Sequence, residues 1–245
     1  MKVFLTSLLC LCFLYGSAQK VEGVITYNRK TDWISIASKL PHMSDEEIDR
    51  WKRTWGNNEN KGTDYDLFLK DDKSLYTYKE TDEVSDYSWS NTKLLLIRDY
   101  DNKKMKDLRE EMAITYLIEE DLPRTKWKIL NEIKEIEGYL CMKAETTDTI
   151  KSQVIHAWFT DAIPCYGGPE GFSGLPGMIL ELDINDGDAV ITATKVNLES
   201  EVDKLPIPRK MKGKKTSTAE LNDQIRKYIA ESIEGQKNPF WRVRY

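Results

Sequence analysis

Histidine is nearly missing from this chain, with two residues in 245, His42 and His156. No HxH, HxxxH or Cys/His cluster with ligand spacing exists, which excludes the common zinc frameworks. Cysteine is equally scarce: Cys10 and Cys12 fall in the first fifteen residues, leaving Cys141 and Cys165, neither with a CxxC neighbour. An excess of basic charge is also absent. With 36 Lys+Arg against 41 Asp+Glu, the net charge of −5 makes nucleic acid a poor partner. The one basic run, Arg209-Lys210-Met211-Lys212-Gly213-Lys214-Lys215, reads as a solvated loop ahead of a helix rather than a polyanion patch. Beyond residue 15 no apolar run is long enough to cross a bilayer, and there is no internal repeat or low-complexity linker.

What is present begins with Lys2, an apolar run over residues 3–15 and the small residues Gly16-Ser17-Ala18. This is the layout of a cleavable signal peptide over residues 1–18, with cleavage after Ala18 and a single domain over 19–245. Lipidation is the competing reading, but Leu9 and Leu11 precede Cys10 and Cys12 where a lipoprotein peptidase requires a small residue. The expected location is the periplasm, the cell surface or the medium. Such a compartment permits a Cys141–Cys165 disulfide, with free thiols or an intermolecular bridge as alternatives.

Short β-rich runs recur through the chain: 23–27, 65–70, 74–79, 94–97, 114–118, 127–130, 139–144, 154–160, 178–182 and 189–196. The gaps are too short for crossover helices, so the expected fold is mainly β (α+β). It is a single curved antiparallel meander sheet, half-barrel-like. Two helices interrupt it. Ser44 with Glu47, and Ser217 with Glu220, are capping boxes that open helices near 45–55 and 218–234, and Gly56 and Gly235 close them. Ile48, Trp51 and Trp55 share one face of the first helix and read as packing on the sheet. The charge-dense stretch 99–111 fits a strand pair or a short helix, and the tail 240–245 fits an edge strand.

Several constellations could carry chemistry. In the segment from Gly167 to Gly177, Gly171-Phe172-Ser173-Gly174 begins like a nucleophile elbow, but Leu175 stands where the closing glycine belongs. A phosphate cradle would need a lysine and a following helix, and a β-like run follows instead. His156 alternates with Val154 and Trp158 and reads as a strand residue, with general base or metal ligand as alternatives. Asp183-Ile184-Asn185-Asp186-Gly187-Asp188 gathers oxygen ligands, yet Gly187 sits one position early for a calcium-binding EF-hand loop and the flanks are strands; a hairpin turn is the reading. Trp33, Trp89, Trp127, Trp158 and Trp241 could offer sugar-stacking platforms, against the plainer reading that large aromatics fill the core.

The hexapeptide Gly174-Leu175-Pro176-Gly177-Met178-Ile179 resembles the signature of the GLPGLI family of exported bacterial proteins, with Met178 in place of leucine. Trp127-Lys128, Ile136-Glu137-Gly138-Tyr139, Cys141-Met142-Lys143-Ala144, Ala157-Trp158-Phe159-Thr160, Ile163-Pro164 and Gly168-Pro169 fall in the order of that family. The resemblance implies export from a two-membrane bacterium and a curved antiparallel sheet akin to envelope carriers; it brings no activity, cofactor or catalytic residue. Read from its residues, the signature is a stiff bend feeding residues 178–182 into the sheet, or a partner surface.

The expected function is therefore a non-catalytic exported binding or accessory protein, with no cofactor, whose concave face takes an envelope protein, peptide, glycan or lipid. An envelope hydrolase using Ser173 or His156 is the alternative, and it requires those groups to converge on a carboxylate in one cleft. A lipid carrier is the third reading, and it requires a continuous apolar cavity.

Overall fold

The computed structural model describes residues 21–56, 60–79 and 94–245. Residues 1–18, read as a signal peptide and containing Cys10 and Cys12, and Trp89 lie outside them. Twelve strands form one sheet: β1 (Gly23–Thr31), β2 (Thr63–Lys70), β3 (Lys73–Tyr78), β4 (Leu94–Asp99), β5 (Lys104–Glu111), β6 (Ile114–Asp121), β7 (Lys128–Ile136), β8 (Tyr139–Asp148), β9 (Gln153–Thr160), β10 (Met178–Ile184), β11 (Ala189–Asn197) and β12 (Lys214–Lys215). Their order is β12-β6-β5-β4-β3-β2-β1-β11-β10-β9-β8-β7. Two meanders run outward from the central β1–β11 pair, and every pair is antiparallel except the two-residue β12, which lies parallel to β6. The mainly β fold with an antiparallel meander sheet is as the sequence suggested.

The chain connectivity forces this sheet to curl. Strands β6 and β7 are ten strand spacings apart, roughly 50 Å across a flat sheet. Residues 122–127 join them directly, and the step from Asp121 to Lys128 reaches at most about 25 Å. The two edges must therefore roll toward each other, and residues 122–127 bridge the seam.

Alternation along the strands sends one set of side chains into the roll. The row Ile25, Leu67, Tyr76, Leu96, Asp107 and Ile118 runs in register across β1 to β6. On the other half, Ala144, Ala157, Leu182 and Ile191 line up across β8 to β11. These rows belong to the buried core, and a second cluster joins Met105, Tyr116 and Ile118 to Leu221, Ile225 and Val243. Leu221 and Ile225 come from helix α3 (Thr218–Glu234), which packs over β5 and β6.

Both expected helices are present with their capping boxes formed, α2 at Asp45–Trp55 and α3 at Thr218–Glu234. A six-residue helix, α1 (Trp33–Ser38), precedes them, capped by Asp32, whose Oδ1 accepts from Ile34 N and Ser35 N. The stretch 99–111 resolves as the end of β4, a turn over 100–103 and strand β5, so the strand alternative holds rather than the short helix. The tail is not an edge strand: a 3-10 turn at Pro239–Trp241 directs Val243 and Tyr245 into the interior, where both are buried. No helix among the described residues is long and apolar enough to cross a membrane.

Candidate functional site

The interior of the roll holds a cluster of buried charge. Glu170 sits at its centre with a left-handed backbone (φ 55°). That conformation costs a non-glycine residue of order 1 kcal/mol. Its carboxylate accepts from Arg244 Nε and NH2, both at 2.6 Å, from Arg29 NH1 at 3.3 Å and from the Tyr76 hydroxyl at 3.2 Å. Burial opposes its ionisation, but Arg244 and then Arg29 outweigh burial and hold the pKa at about 2. Around it, Arg98 is paired with Asp107 and Arg109 with Glu111. Arg29 also donates to the carbonyl oxygen of Tyr245 at 2.6 Å.

The signature segment packs in the apolar core instead. Leu175, Met178 and Ile179 are buried in the main core, and Trp127 on the bridging segment donates its Nε1–H to Ser173 O at 3.0 Å. Glycine is required where the backbone closes on its neighbours. A Cβ at Gly177 (φ 146°) would overlap the Thr160 carbonyl oxygen, and one at Gly171 (φ 77°) would overlap the Arg98 guanidinium. Gly174 (φ 95°) differs, because a Cβ there would meet nothing closer than 3.8 Å.

The residues singled out in the sequence do not assemble into a catalytic centre. Ser173 is buried inside, beneath Trp127, whereas His156 alternates with buried Ile155 and Ala157 and so faces outward. There its Nε2 lies 3.3 Å from Glu145 and its Nδ1 3.4 Å from Asp186. The hydrolase pairing of Ser173 with His156 is thus not formed. Nor is the interior the apolar cavity that a lipid carrier needs, since Arg109, Lys151, Glu170 and Arg244 line it.

The expected Cys141–Cys165 disulfide is likewise not formed, and both residues are free thiols. Cys141 Sγ turns toward the Tyr139 carbonyl from the buried face of β8, while Cys165 Sγ turns toward the Gly167 N–H in the loop after β9. Burial pushes both thiols up to about 11, which keeps them protonated and poor nucleophiles at neutral pH.

The Asp183–Asp188 loop behaves as a hairpin turn whose oxygens point to different protein partners. Asp183 accepts from Gly187 N at 2.6 Å, Asn185 Oδ1 accepts from Val154 N at 2.8 Å, and buried Asp188 takes Lys39 Nζ at 2.7 Å and Ser35 Oγ at 2.6 Å. His156, Asp183 and Asp186 do bring ligand atoms within 4.8 Å of one another, on an open turn where Asp186 is 86% exposed. Asp188 also accepts from the Tyr245 hydroxyl, so it ties α1, the β10–β11 hairpin and the C-terminal segment together.

That tie positions a second feature at the surface. The expectation that Trp51 and Trp55 pack on the sheet fails: only Ile48 of α2 is buried, Trp55 is 61% exposed, and Trp51 stacks on Trp241 at 6.2 Å between ring centroids. Trp33 on α1 is 42% exposed. Trp33 and Trp55 line one groove of about 460 Å³ together with Thr31, Asp32 and Asn60. Of the other candidate platforms, Trp158 lies beneath Lys134 Nζ at 4.3 Å and Trp127 packs on Phe172, so among the described residues the largely exposed indoles are Trp33, Trp55 and Trp241, the last with one face on Trp51.

Sequence reasoning missed the interior charges. The signal available was the strict period-two placement of Met105, Asp107, Arg109 and Glu111 along β5, which puts all four on one face.

Residues 58–222 match the protein family described as "N-glycanase peptide, N-terminal domain". Two solved structures of PNGF-II, in P21 and C2 crystal forms, are similar to this chain with TM-scores of 0.54 and 0.53 at 17% identity. Each similarity covers 82% of this chain and 32% of the PNGF-II chain, so the present chain spans about a third of that protein. At this identity the likeness establishes the fold. No match was found among curated protein sequences.

Proposed function

The chain belongs to the family of N-glycanase peptide N-terminal domains, and from that premise we propose that it is an exported, non-catalytic module that binds glycan chains through the groove between Trp33 and Trp55. The observation that carries this reading is two exposed indoles lining one groove with polar neighbours. Pyranose rings present C–H faces that stack on indoles while their hydroxyls bond to carboxylates and amides. Asp32 supplies such a group: its Oδ1 caps α1, and Oδ2 takes no part in the cap. The groove volume falls within the usual range of ligand sites, about 300–1,000 Å³. Export is supported by the leader over residues 1–18 and by the resemblance of residues 174–179 to the GLPGLI signature.

Isothermal titration with an N-glycopeptide and with the same peptide lacking its glycan tests the reading. The glycopeptide is expected to bind and the bare peptide to give no heat. A Trp33→Ala/Trp55→Ala double variant should lose at least roughly tenfold in affinity, the usual effect of removing aromatic anchors. Equal affinity of the double variant and the parent would contradict it.

A further inference from the structure

We propose that the interior cavity is a second binding site, for a small organic carboxylate seated between Lys151 and Gln153. Two adjoining cavities of about 140 and 190 Å³ share Arg109, Asp148, Lys151, Glu170 and Phe172 in their walls. Both volumes fall below the range of drug-sized pockets, so the occupant has few heavy atoms.

The polar groups around this space do not balance. Both oxygens of Glu170 are taken by Arg244, Arg29 and Tyr76, and both oxygens of Glu111 by Arg109 and Arg244 N. Asp107 takes Arg98 with both of its oxygens. Asp148 Oδ1 accepts from Ile150 N and Lys151 N. Two donors are left over, against one open acceptor, Asp148 Oδ2. Among the described residues the Lys151 ammonium forms no ion pair or side-chain hydrogen bond. Gln153 is 2% exposed, and its Nε2 meets no acceptor.

The buried Gln153 donor loses its hydration without compensation, and the half-buried Lys151 ammonium has no direct counter-ion. An acceptor-rich anion answers both vacancies. Phe172, Leu94, Ile155 and Ile184 on the remaining wall provide apolar contact for a carbon stem, which favours an organic acid over inorganic phosphate.

The charges facing Lys151 sharpen the prediction. Burial lowers its pKa; Glu111 and Asp148 oppose that fall, whereas Arg109 and Arg29 add to it, and Glu170 and Arg244 complete the wall. A carboxylate beside the ammonium favours its protonated form, so binding takes up protons at high pH and weakens as pH rises.

Butyrate, butyramide and inorganic phosphate are the probes, in titration calorimetry and thermal unfolding of the full chain. Butyrate is expected to bind and raise the unfolding midpoint, with no effect from butyramide and little from phosphate. Lys151→Met should leave the unbound midpoint little changed, because the half-buried ammonium makes no ion pair or side-chain hydrogen bond, while weakening butyrate binding roughly 10- to 100-fold. Gln153→Leu should weaken binding about tenfold and serves if Lys151→Met does not fold. The proposal is overturned by butyramide binding as well as butyrate, by phosphate binding more tightly, by no butyrate binding to the parent, or by unchanged affinity in a folded variant.

Discussion

The charged interior and the aromatic groove depart from ordinary burial in opposite directions. Inside the roll, Arg29, Arg98, Asp107 and Glu111 are buried charges, each held by a partner: Arg98 and Asp107 pair across neighbouring strands, while Arg29 and Glu111 reach Glu170 and Arg244 N far along the chain. At the groove, Trp33 and Trp55 leave large apolar surfaces in water. A buried ion loses hydration and must be paired, so the interior groups are bound up with folding itself. An exposed indole gives up favourable burial without being needed by the core. Changes inside should therefore register as stability, and changes in the groove as binding.

The strongest way to break that contrast is at Glu170. Glu170→Ala leaves Arg244 and Arg29 without their carboxylate and should cost about 3–5 kcal/mol in urea unfolding. The pH dependence has a definite sign. The folded pKa is depressed from an ordinary 4.5 to about 2, so the stability this group contributes is fully present above about pH 4.5. It is lost as pH falls toward 2, an effect on the order of 3 kcal/mol. The unfolding midpoint of the parent should drop through that window, and Glu170→Gln should flatten the drop; identical pH profiles would show that the cluster does not set acid stability.

A smaller effect is expected at the signature. Gly177→Ala forces a Cβ onto the Thr160 carbonyl and should cost about 2–3 kcal/mol. Gly174→Ala meets open space, pays only for its positive φ, and should cost about 1 kcal/mol. Equal losses at the two glycines would contradict the close approach at Gly177. The smallest effect belongs to the groove: Trp55→Ala should shift stability by no more than about 0.5 kcal/mol.

Local chemistry was legible in the sequence and long-range pairing was not. The boundaries of α2 and α3 follow from Ser44 with Glu47 and Ser217 with Glu220, because a capping box is complete within four residues. The β10–β11 turn was likewise readable from Asn185-Asp186-Gly187, all three of which take positive φ. Strand β5 was not, since its inward charges find partners on β4 and in the C-terminal segment. The tail reads as a strand by composition, yet Tyr245 turns inward to Asp188 and Arg29, residues 57 and 216 positions away. Helix α1 is only six residues long and leans on Asp188 through Ser35, a contact with no local signature. The groove was missed for a related reason: the helical spacing of Ile48, Trp51 and Trp55 marks a common face, but only Ile48 is buried.

The measurement that bears most directly on the glycan-binding account is the indole N–H region of an NMR spectrum recorded while an N-glycopeptide is titrated in. Shifts concentrated at Trp33 and Trp55, with Trp127 and Trp158 unmoved, are the predicted result. Shifts at Trp127 and Trp158 instead, or none at any indole, would contradict it.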